Sequence, residues 1–327
     1  MLNPARKVAR AWRATIMLAA LVSAASAFTG GGNVPARATP GVLSVMNAAS
    51  ITRPIRALLD SFAARTGTKY ELEPGASLEV ARRITELHRT PDVVLLADPD
   101  VFPKLLMPAH VTWYTLFARN RIVLAYTAKS RGAARINAEN WRTVITASGV
   151  EVGRANPNTD PSGYRTLLTM QLAEQHYKEP GLYARLLAAA PARNVRPREA
   201  DQIALLQTQE LDYIWTYQNL AENDGLEFVK LPDAIDLGAP ADSAAYARVT
   251  TRVLGKQPGD TLTMRGAPIL FALTIPVAAE NRALAERFVA YLLSRDGRRA
   301  LRTERLDALD HAYTVGTGEP AFLQPSK

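Results

Sequence analysis

The chain has 327 residues and no cysteine, and its 39 Lys and Arg residues against 31 Asp and Glu residues give a formal net charge of +8. This length suffices for two domains with buried cores, and without cysteine those cores rather than disulfides must stabilise the fold. Basic and acidic residues are interspersed rather than clustered, which is not the pattern of a nucleic-acid-binding surface, so we expect no nucleic-acid partner.

The first 27 residues have the pattern of a secretory signal peptide. Four basic residues, at positions 6, 7, 10 and 13, precede an apolar run over residues 14–25, and Ala25-Ser26-Ala27 is a small-x-small cleavage site. An uncleaved membrane anchor is the alternative, but the run is shorter than the ~20 apolar residues that span a bilayer. We therefore expect cleavage and a periplasmic mature protein that begins near Phe28. A lipoprotein is not expected, because that anchor needs an N-terminal cysteine.

Strand-like and helix-like patterns alternate after the signal. Buried strands are predicted over residues 42–46 and 92–96, because these runs are short and apolar, and a further strand is predicted over 70–72. Amphipathic helices are predicted between them, over 51–65 and 78–87, and a short helix follows over 99–106. This order predicts the beginning of an α/β fold with a sheet of parallel strands.

Two long extended stretches, 116–127 and 269–275, flank the middle of the chain. The first is interrupted by Arg119-Asn120-Arg121, which we interpret as a crossing from one lobe to another. The stretches predict a discontinuous first lobe, a continuous second lobe and a ligand cleft between them. Further helices are predicted over 141–146, 167–176, 183–189, 200–207, 282–293 and 296–302. A further strand is predicted over 212–215 and ends at Thr216-Tyr217.

The segment NPNTDPSGYR, residues 156–165, has the chemistry of a loop that opens a helix. Asp160 is a favourable N-cap, Pro161 fits the first helical position, and an apolar-periodic run follows from Leu167. Unpaired N–H groups and the positive end of the helix dipole can hold an anion at such a terminus. The backbone N–H groups of Ser162 and Gly163 are the candidate donors.

Together with four other stretches, this segment resembles the periplasmic tungstate/molybdate-binding proteins of ABC importers. The resemblance is collinear from about residue 42 to residue 300. The further matching stretches are LFARNRIVLAYT (116–127), IALL (203–206) with ELDYI (210–214), PI (268–269) with TIP (274–276), and NR (281–282) with LA (284–285) and GRR (297–299).

The resemblance implies a two-lobed type II periplasmic binding protein fold with two hinge crossings. The first lobe would comprise residues 40–120 and 272–327, and the second residues 121–271. The implied function is capture of an oxyanion, molybdate or tungstate, and its delivery to an ABC transporter permease. We expect a monomer that binds no cofactor and catalyses no reaction.

The same resemblance assigns candidate ligand-binding residues. Ser50 matches the serine of the family's first helix-opening loop, and Tyr217 matches a tyrosine that closes over the oxyanion. Asp160 matches an acidic residue that approaches the metal atom of the oxyanion in the tungstate-type branch. Thr216 could add a further hydroxyl donor. Ser50 as a helix cap and Tyr217 as an ordinary buried tyrosine remain the alternative interpretations.

The chain departs from the family pattern at two positions. Leu96 stands where the family commonly places a serine donor, and Thr216 stands where the tungstate-type branch has a glutamate. A carboxylate beside an oxyanion is repelled, so Asp160 must cap its helix, approach the metal atom directly or be protonated. Because the second carboxylate is missing at position 216, we expect four-coordinate binding with Asp160 mainly as N-cap. We expect Arg165 to form a structural ion pair.

Other functions are compatible with the sequence. An enzyme would have to use a constellation without a recognisable motif, since the four histidines lie in unrelated contexts and no nucleophile motif is present. A binding protein for sulfate, phosphate or a small carboxylate is the nearer alternative. A receptor or scavenger that is not coupled to import is another.

Overall fold

The computed structural model describes residues 41–255 and 259–324. The predicted signal peptide, residues 1–27, and the expected mature start near Phe28 lie outside these residues. Among the helices of the described ranges, none has the length and apolar character needed to cross a membrane.

Strands and helices alternate along most of the described chain, as the sequence patterns predict. The strands are β1 (Val42–Ala48), β2 (Lys69–Gly75), β3 (Val93–Leu96), β4 (Trp113–Asn120), β5 (Ile122–Tyr126), β6 (Val152–Ala155), β7 (Val195–Arg196), β8 (Tyr213–Tyr217), β9 (Glu227–Lys230), β10 (Thr250–Leu254), β11 (Thr261–Arg265), β12 (Ile269–Thr274) and β13 (Asp307–Gly316). The α-helices are α1 (Thr52–Thr66), α2 (Ser77–Thr85), α3 (Trp141–Ile145), α4 (Pro161–Tyr177), α5 (Leu182–Ala189), α6 (Asp201–Gln207), α7 (Gln218–Asn223), α8 (Asp233–Asp236), α9 (Ser243–Tyr246), α10 (Arg282–Leu293) and α11 (Arg295–Thr303).

The first lobe is built on a six-stranded sheet with the strand order β13-β4-β12-β3-β1-β2. β1 pairs in parallel with both β2 and β3, which confirms the predicted parallel beginning of the sheet. β12 and β13 join it as antiparallel strands. The predicted apolar face of α1 is buried, and α1 packs with α10 and α11.

The second lobe is built on a five-stranded sheet with the strand order β7-β6-β8-β5-β9. α4 packs against β5, β6 and β8 of this sheet, and its residues from Pro161 to Met170 are all buried. The short strands β6, β7 and β9 and the hairpin of β10 and β11 are absent from the sequence prediction. They have two to five residues each, and each includes a charged residue, so none forms a continuous apolar run.

A single residue, Arg121, separates the last strand of the first-lobe segment from the first strand of the second lobe. The predicted extended stretch 116–127 therefore consists of two strands in different sheets, β4 and β5. On the return, β12 pairs with β4 from Ile269 onward. The boundary expected between residues 271 and 272 falls inside β12, so we propose that the return crossing lies before Ile269.

Candidate functional site

The N-terminus of α4 lies buried where the two lobes meet. Asp160 is its N-cap, with an Oδ1 that accepts the Ser162 N–H at 2.9 Å, and Pro161 occupies the first helical position. The predicted cap is therefore confirmed. Across the interface, the Leu78 N–H of α2 donates to the Thr159 carbonyl at 3.1 Å, and Arg82 donates to the Asn158 carbonyl at 2.8 Å. The loop before α4 is thus held against the first lobe.

The cap already uses the backbone donors that the sequence analysis assigned to a ligand. The Ser162 N–H binds the Asp160 side chain, and the Gly163 N–H donates to the Asp160 carbonyl at 3.0 Å. Contrary to expectation, neither group is free for an anion in this structure, because the aspartate side chain at the N-cap takes the first and the backbone carbonyl of the same residue takes the second. The Ser162 hydroxyl is different: it is buried and has no hydrogen-bond partner within the described chain.

Gly163 has a steric role in this structure. A Cβ at this position would lie 2.6 Å from the Ala155 carbonyl oxygen and 2.7 Å from the Pro157 nitrogen. Only a residue without a side chain lets α4 pack this closely on the loop that follows β6. Gly163 therefore shapes the site by setting the position of the helix.

Glu199, which the sequence analysis did not single out, connects Asp160 to the end of β8. Its backbone N–H donates to Asp160 Oδ2 at 3.0 Å. Its Oε1 accepts the Thr216 hydroxyl at 2.5 Å and also the Tyr217 N–H. The hydroxyl of Thr216, expected as a ligand donor, is thus directed to Glu199. Glu199 is fully buried, and its Oε2 makes no hydrogen bond to any described residue.

The two buried carboxyl groups influence each other. Burial is the largest cause that raises the pKa of Glu199, followed by the charge of Asp160, and together they bring this pKa to about 8. Burial also raises the pKa of Asp160, while the N–H groups of Glu199 and Ser162 counteract this by stabilising the charged form. The two backbone N–H groups thus favour the carboxylate form of Asp160, whereas burial and the charge of Asp160 favour the neutral acid form of Glu199.

Arg165 joins the lobes across the same region. One guanidinium nitrogen donates to the Ala97 carbonyl at 2.5 Å and to the Tyr217 hydroxyl oxygen at 2.7 Å, and another lies 3.4 Å from Asp98 Oδ1. The expected structural ion pair is confirmed, with Asp98 as its partner. Because Arg165 can only donate, the Tyr217 oxygen is the acceptor and the phenolic hydrogen is not used in this contact. Tyr217 is fully buried.

Ser50 lies at the first-lobe side of the interface, in a short 3₁₀ turn directly before α1. It is not the N-cap of α1, which begins at Thr52 after Ile51. Its carbonyl accepts a hydrogen bond from the Asn219 side chain of α7 at 2.9 Å. Ser50 also lines a cavity of about 460 Å³ between α1 and α7.

Leu96, the other departure from the family pattern, ends β3 and is fully buried. Next to it, the Ala97 N–H donates to the hydroxyl oxygen of Ser77 at 3.0 Å. Ser77 begins α2 and was not singled out in the sequence. A serine hydroxyl therefore still lies at the end of β3, although it comes from a different element.

These contacts define a cluster of polar side chains buried between two lobes. Comparison with known proteins supports the two-lobed architecture. The sequence pattern of a family described as bacterial extracellular solute-binding protein matches residues 43–304. The chain belongs to this family. It is 38% identical to an uncharacterised solute-binding protein of Petrotoga mobilis, over 79% of this chain and 81% of that protein.

Two further proteins confirm the resemblance found in the sequence. The molybdate/tungstate-binding protein WtpA of Pyrococcus abyssi is 30% identical over 88% of this chain and 90% of its own length. The periplasmic molybdate-binding protein of Azotobacter vinelandii is similar in structure, with a TM-score of 0.54 and 17% identity over 81% of this chain and 98% of that one. The solute-binding protein therefore has the two-lobed type II α/β fold that was expected.

Proposed function

We propose that this solute-binding protein is exported to the periplasm, where it captures molybdate or tungstate between its lobes and delivers it to an ABC transporter permease. The observation that carries the proposal is the cluster of buried polar side chains at the N-terminus of α4. It combines the guanidinium group of Arg165 with the hydroxyl groups of Ser162 and Tyr217. The names of relatives such as WtpA direct the proposal to molybdate and tungstate among the possible oxyanions.

The available donors are sufficient for tight binding of a dianion. Ser162 and Tyr217 offer hydroxyl hydrogens in a region from which water is excluded, and Ser50 offers a third at the first-lobe side. Hydrogen bonds to a charged group contribute roughly 1.5–3 kcal/mol each. Nanomolar affinity corresponds to about 12 kcal/mol, so several such bonds and the nearby positive charge of Arg165 are required together.

We further propose that the oxyanion stays four-coordinate. Both carboxylate oxygens of Asp160 already accept backbone N–H groups, which supports its role as an N-cap over direct contact with the metal atom. Among the candidate residues, Ser50, Ser162 and Tyr217 would then touch the ligand, whereas Asp160, Gly163 and Thr216 would build the site around it. No reaction is catalysed, and the protein acts as a monomer.

Isothermal titration of ligand-stripped protein with molybdate, tungstate, sulfate and phosphate tests this function. We expect submicromolar dissociation constants for molybdate or tungstate and at least 100-fold weaker binding of sulfate and phosphate. Tight binding of sulfate, phosphate or a small carboxylate, with no response to either metal oxyanion, would overturn the assignment of the ligand. Binding of molybdate or tungstate without delivery of the oxyanion to a permease would instead identify a receptor or scavenger.

A further inference from the structure

Glu199 has an oxygen atom that has no hydrogen-bond partner among the residues that the structure describes. Oε1 is fully used by the Thr216 hydroxyl and the Tyr217 N–H, whereas Oε2 is buried and lacks a hydrogen bond within the described residues. A buried carboxyl oxygen without a partner costs free energy, so its retention points to a group that is supplied from outside the chain. Other buried atoms without a partner among the described residues include the hydroxyl of Ser162, on the first turn of α4, and the amide of Gln202, next to Glu199 along the chain.

The position of this carboxyl group is informative. By the family resemblance, Thr216 stands at a position where the tungstate-type branch has a glutamate. Glu199 Oε1 lies 2.5 Å from the Thr216 hydroxyl oxygen. A carboxyl group is therefore present within one hydrogen bond of position 216, although it comes from the loop before α6 rather than from β8. Its backbone N–H is bonded to Asp160, which ties it to the N-terminus of α4.

We propose that Glu199 is a ligand-binding residue that holds a proton on Oε2 and donates it in a hydrogen bond to an oxygen of the bound oxyanion. This inference rests on the proposed function, because it assigns a role within the same site. It also distinguishes Glu199 from Asp160: the first is the neutral donor, and the second is the charged cap of α4.

The surrounding charges support a protonated Glu199. The charge of Asp160 opposes a second negative charge, and the pKa of Glu199 lies at about 8 through burial and this neighbour. Arg165 on α4 acts in the opposite direction but is shared with Asp98 of the first lobe, and Tyr217 on β8 stays neutral because burial raises its pKa well above its usual range. Asp201 on α6 adds negative charge near Asp160. A bound dianion would favour the proton further.

This role predicts how binding depends on pH. A neutral acid can donate only below its pKa, so affinity for molybdate or tungstate should be constant from pH 6 to 7 and fall about tenfold by pH 9. A Glu199 carboxylate coordinated to the metal atom would have the opposite dependence, because affinity would then increase as the proton is lost.

The substitution Glu199→Gln separates these cases. Thr216 and Tyr217 both need an acceptor, so the Gln oxygen would take the place of Oε1 and its NH₂ group would donate from the place of Oε2. We expect the variant to bind molybdate within about threefold of the wild type at pH 7 and to lose the decrease between pH 7 and 9. Glu199→Met, which has similar length but no donor, should bind at least tenfold more weakly at pH 7.

Calorimetric titrations of the full-length mature protein with molybdate at pH 6, 7, 8 and 9 make this test, with thermal melting to verify that each variant is folded. Glu210→Gln is the matched control, since Glu210 is exposed and precedes β8, and it should follow the wild type at every pH. Loss of binding in Glu199→Gln, or identical pH profiles for Glu199→Gln and the wild type, would overturn the proton-donor role. A wild-type protein that binds neither metal oxyanion at any of these pH values would overturn the proposed function itself.

Discussion

Asp160 connects three parts of the candidate site through one side chain. It caps α4 through Ser162, binds the backbone of Glu199 and, through Glu199, is linked to the end of β8. Each of its carboxylate oxygens thereby satisfies a buried N–H group. An acidic residue can therefore lie at the centre of the proposed anion site, because backbone N–H groups balance its charge.

Substitution of Asp160 by alanine should therefore destabilise the fold as well as the site. Two buried N–H groups would lose their acceptor, and we expect the free energy of unfolding to fall by about 2–4 kcal/mol. Urea denaturation followed by tryptophan fluorescence measures this change. Asp201→Ala, a half-buried aspartate on α6, is the control and should cost less than half as much. Equal effects of the two substitutions would contradict the role assigned to Asp160.

At the scale of elements, α4 positions the site because its first turn is packed on every side. Its residues from Pro161 to Met170 are buried, and Gly163 permits contact with the backbone of the loop after β6. This closeness depends on the absence of a single methyl group. The helix is therefore expected to tolerate substitution on its exposed face and not at Gly163.

The substitution Gly163→Ala tests that packing. The new Cβ would meet the Ala155 carbonyl oxygen at 2.6 Å, so α4 or the loop must shift, at a cost of about 1–3 kcal/mol. We expect a lower melting temperature together with weaker molybdate binding, measured by scanning calorimetry and titration. Gln175→Ala on the exposed side of α4 should change the stability by less than 0.5 kcal/mol, roughly the limit for surface substitutions. A Gly163→Ala variant as stable as the control would show that the helix is not held this tightly.

The helices, strands and their contacts also show what the sequence could and could not predict. The cap at Asp160, the apolar face of α1 and the three parallel strands follow from local patterns, and all are found. Glu199 could not be recognised, because its significance depends on burial and on partners that are 17 to 39 residues away in the sequence. The competition of Asp160 for the Ser162 and Gly163 N–H groups was equally invisible, since spacing alone does not reveal which acceptor a donor binds.

At the scale of the whole molecule, the lobes are in contact at the candidate site. Arg165 reaches from α4 to the Ala97 carbonyl and Asp98, and Asn219 reaches from α7 to the Ser50 carbonyl. These bonds can exist only when the lobes are together, so we expect them to stabilise a closed state that the ligand also favours.

The substitution Arg165→Met should weaken this closed state. It keeps much of the side-chain volume but removes the donors to Ala97 and Tyr217, and we expect at least tenfold weaker molybdate binding. Small-angle X-ray scattering with saturating molybdate should also give a larger radius of gyration than that of the liganded wild type. Arg193→Met, which removes an exposed ion pair with Glu151 inside the second lobe, should affect neither measurement. Unchanged affinity and radius for Arg165→Met would contradict the role of Arg165 in closure.

The central claim is that an oxyanion is held between the lobes at the N-terminus of α4, with Glu199 as a neutral donor. The most direct test is a crystal structure with tungstate in which anomalous scattering locates the metal atom. We predict one tungsten position between the lobes, with a tungstate oxygen within hydrogen-bond distance of Glu199 Oε2 and no carboxylate oxygen bonded to the metal. A tungsten atom bonded directly to Asp160 or Glu199, or located outside the interface of the lobes, would contradict the account.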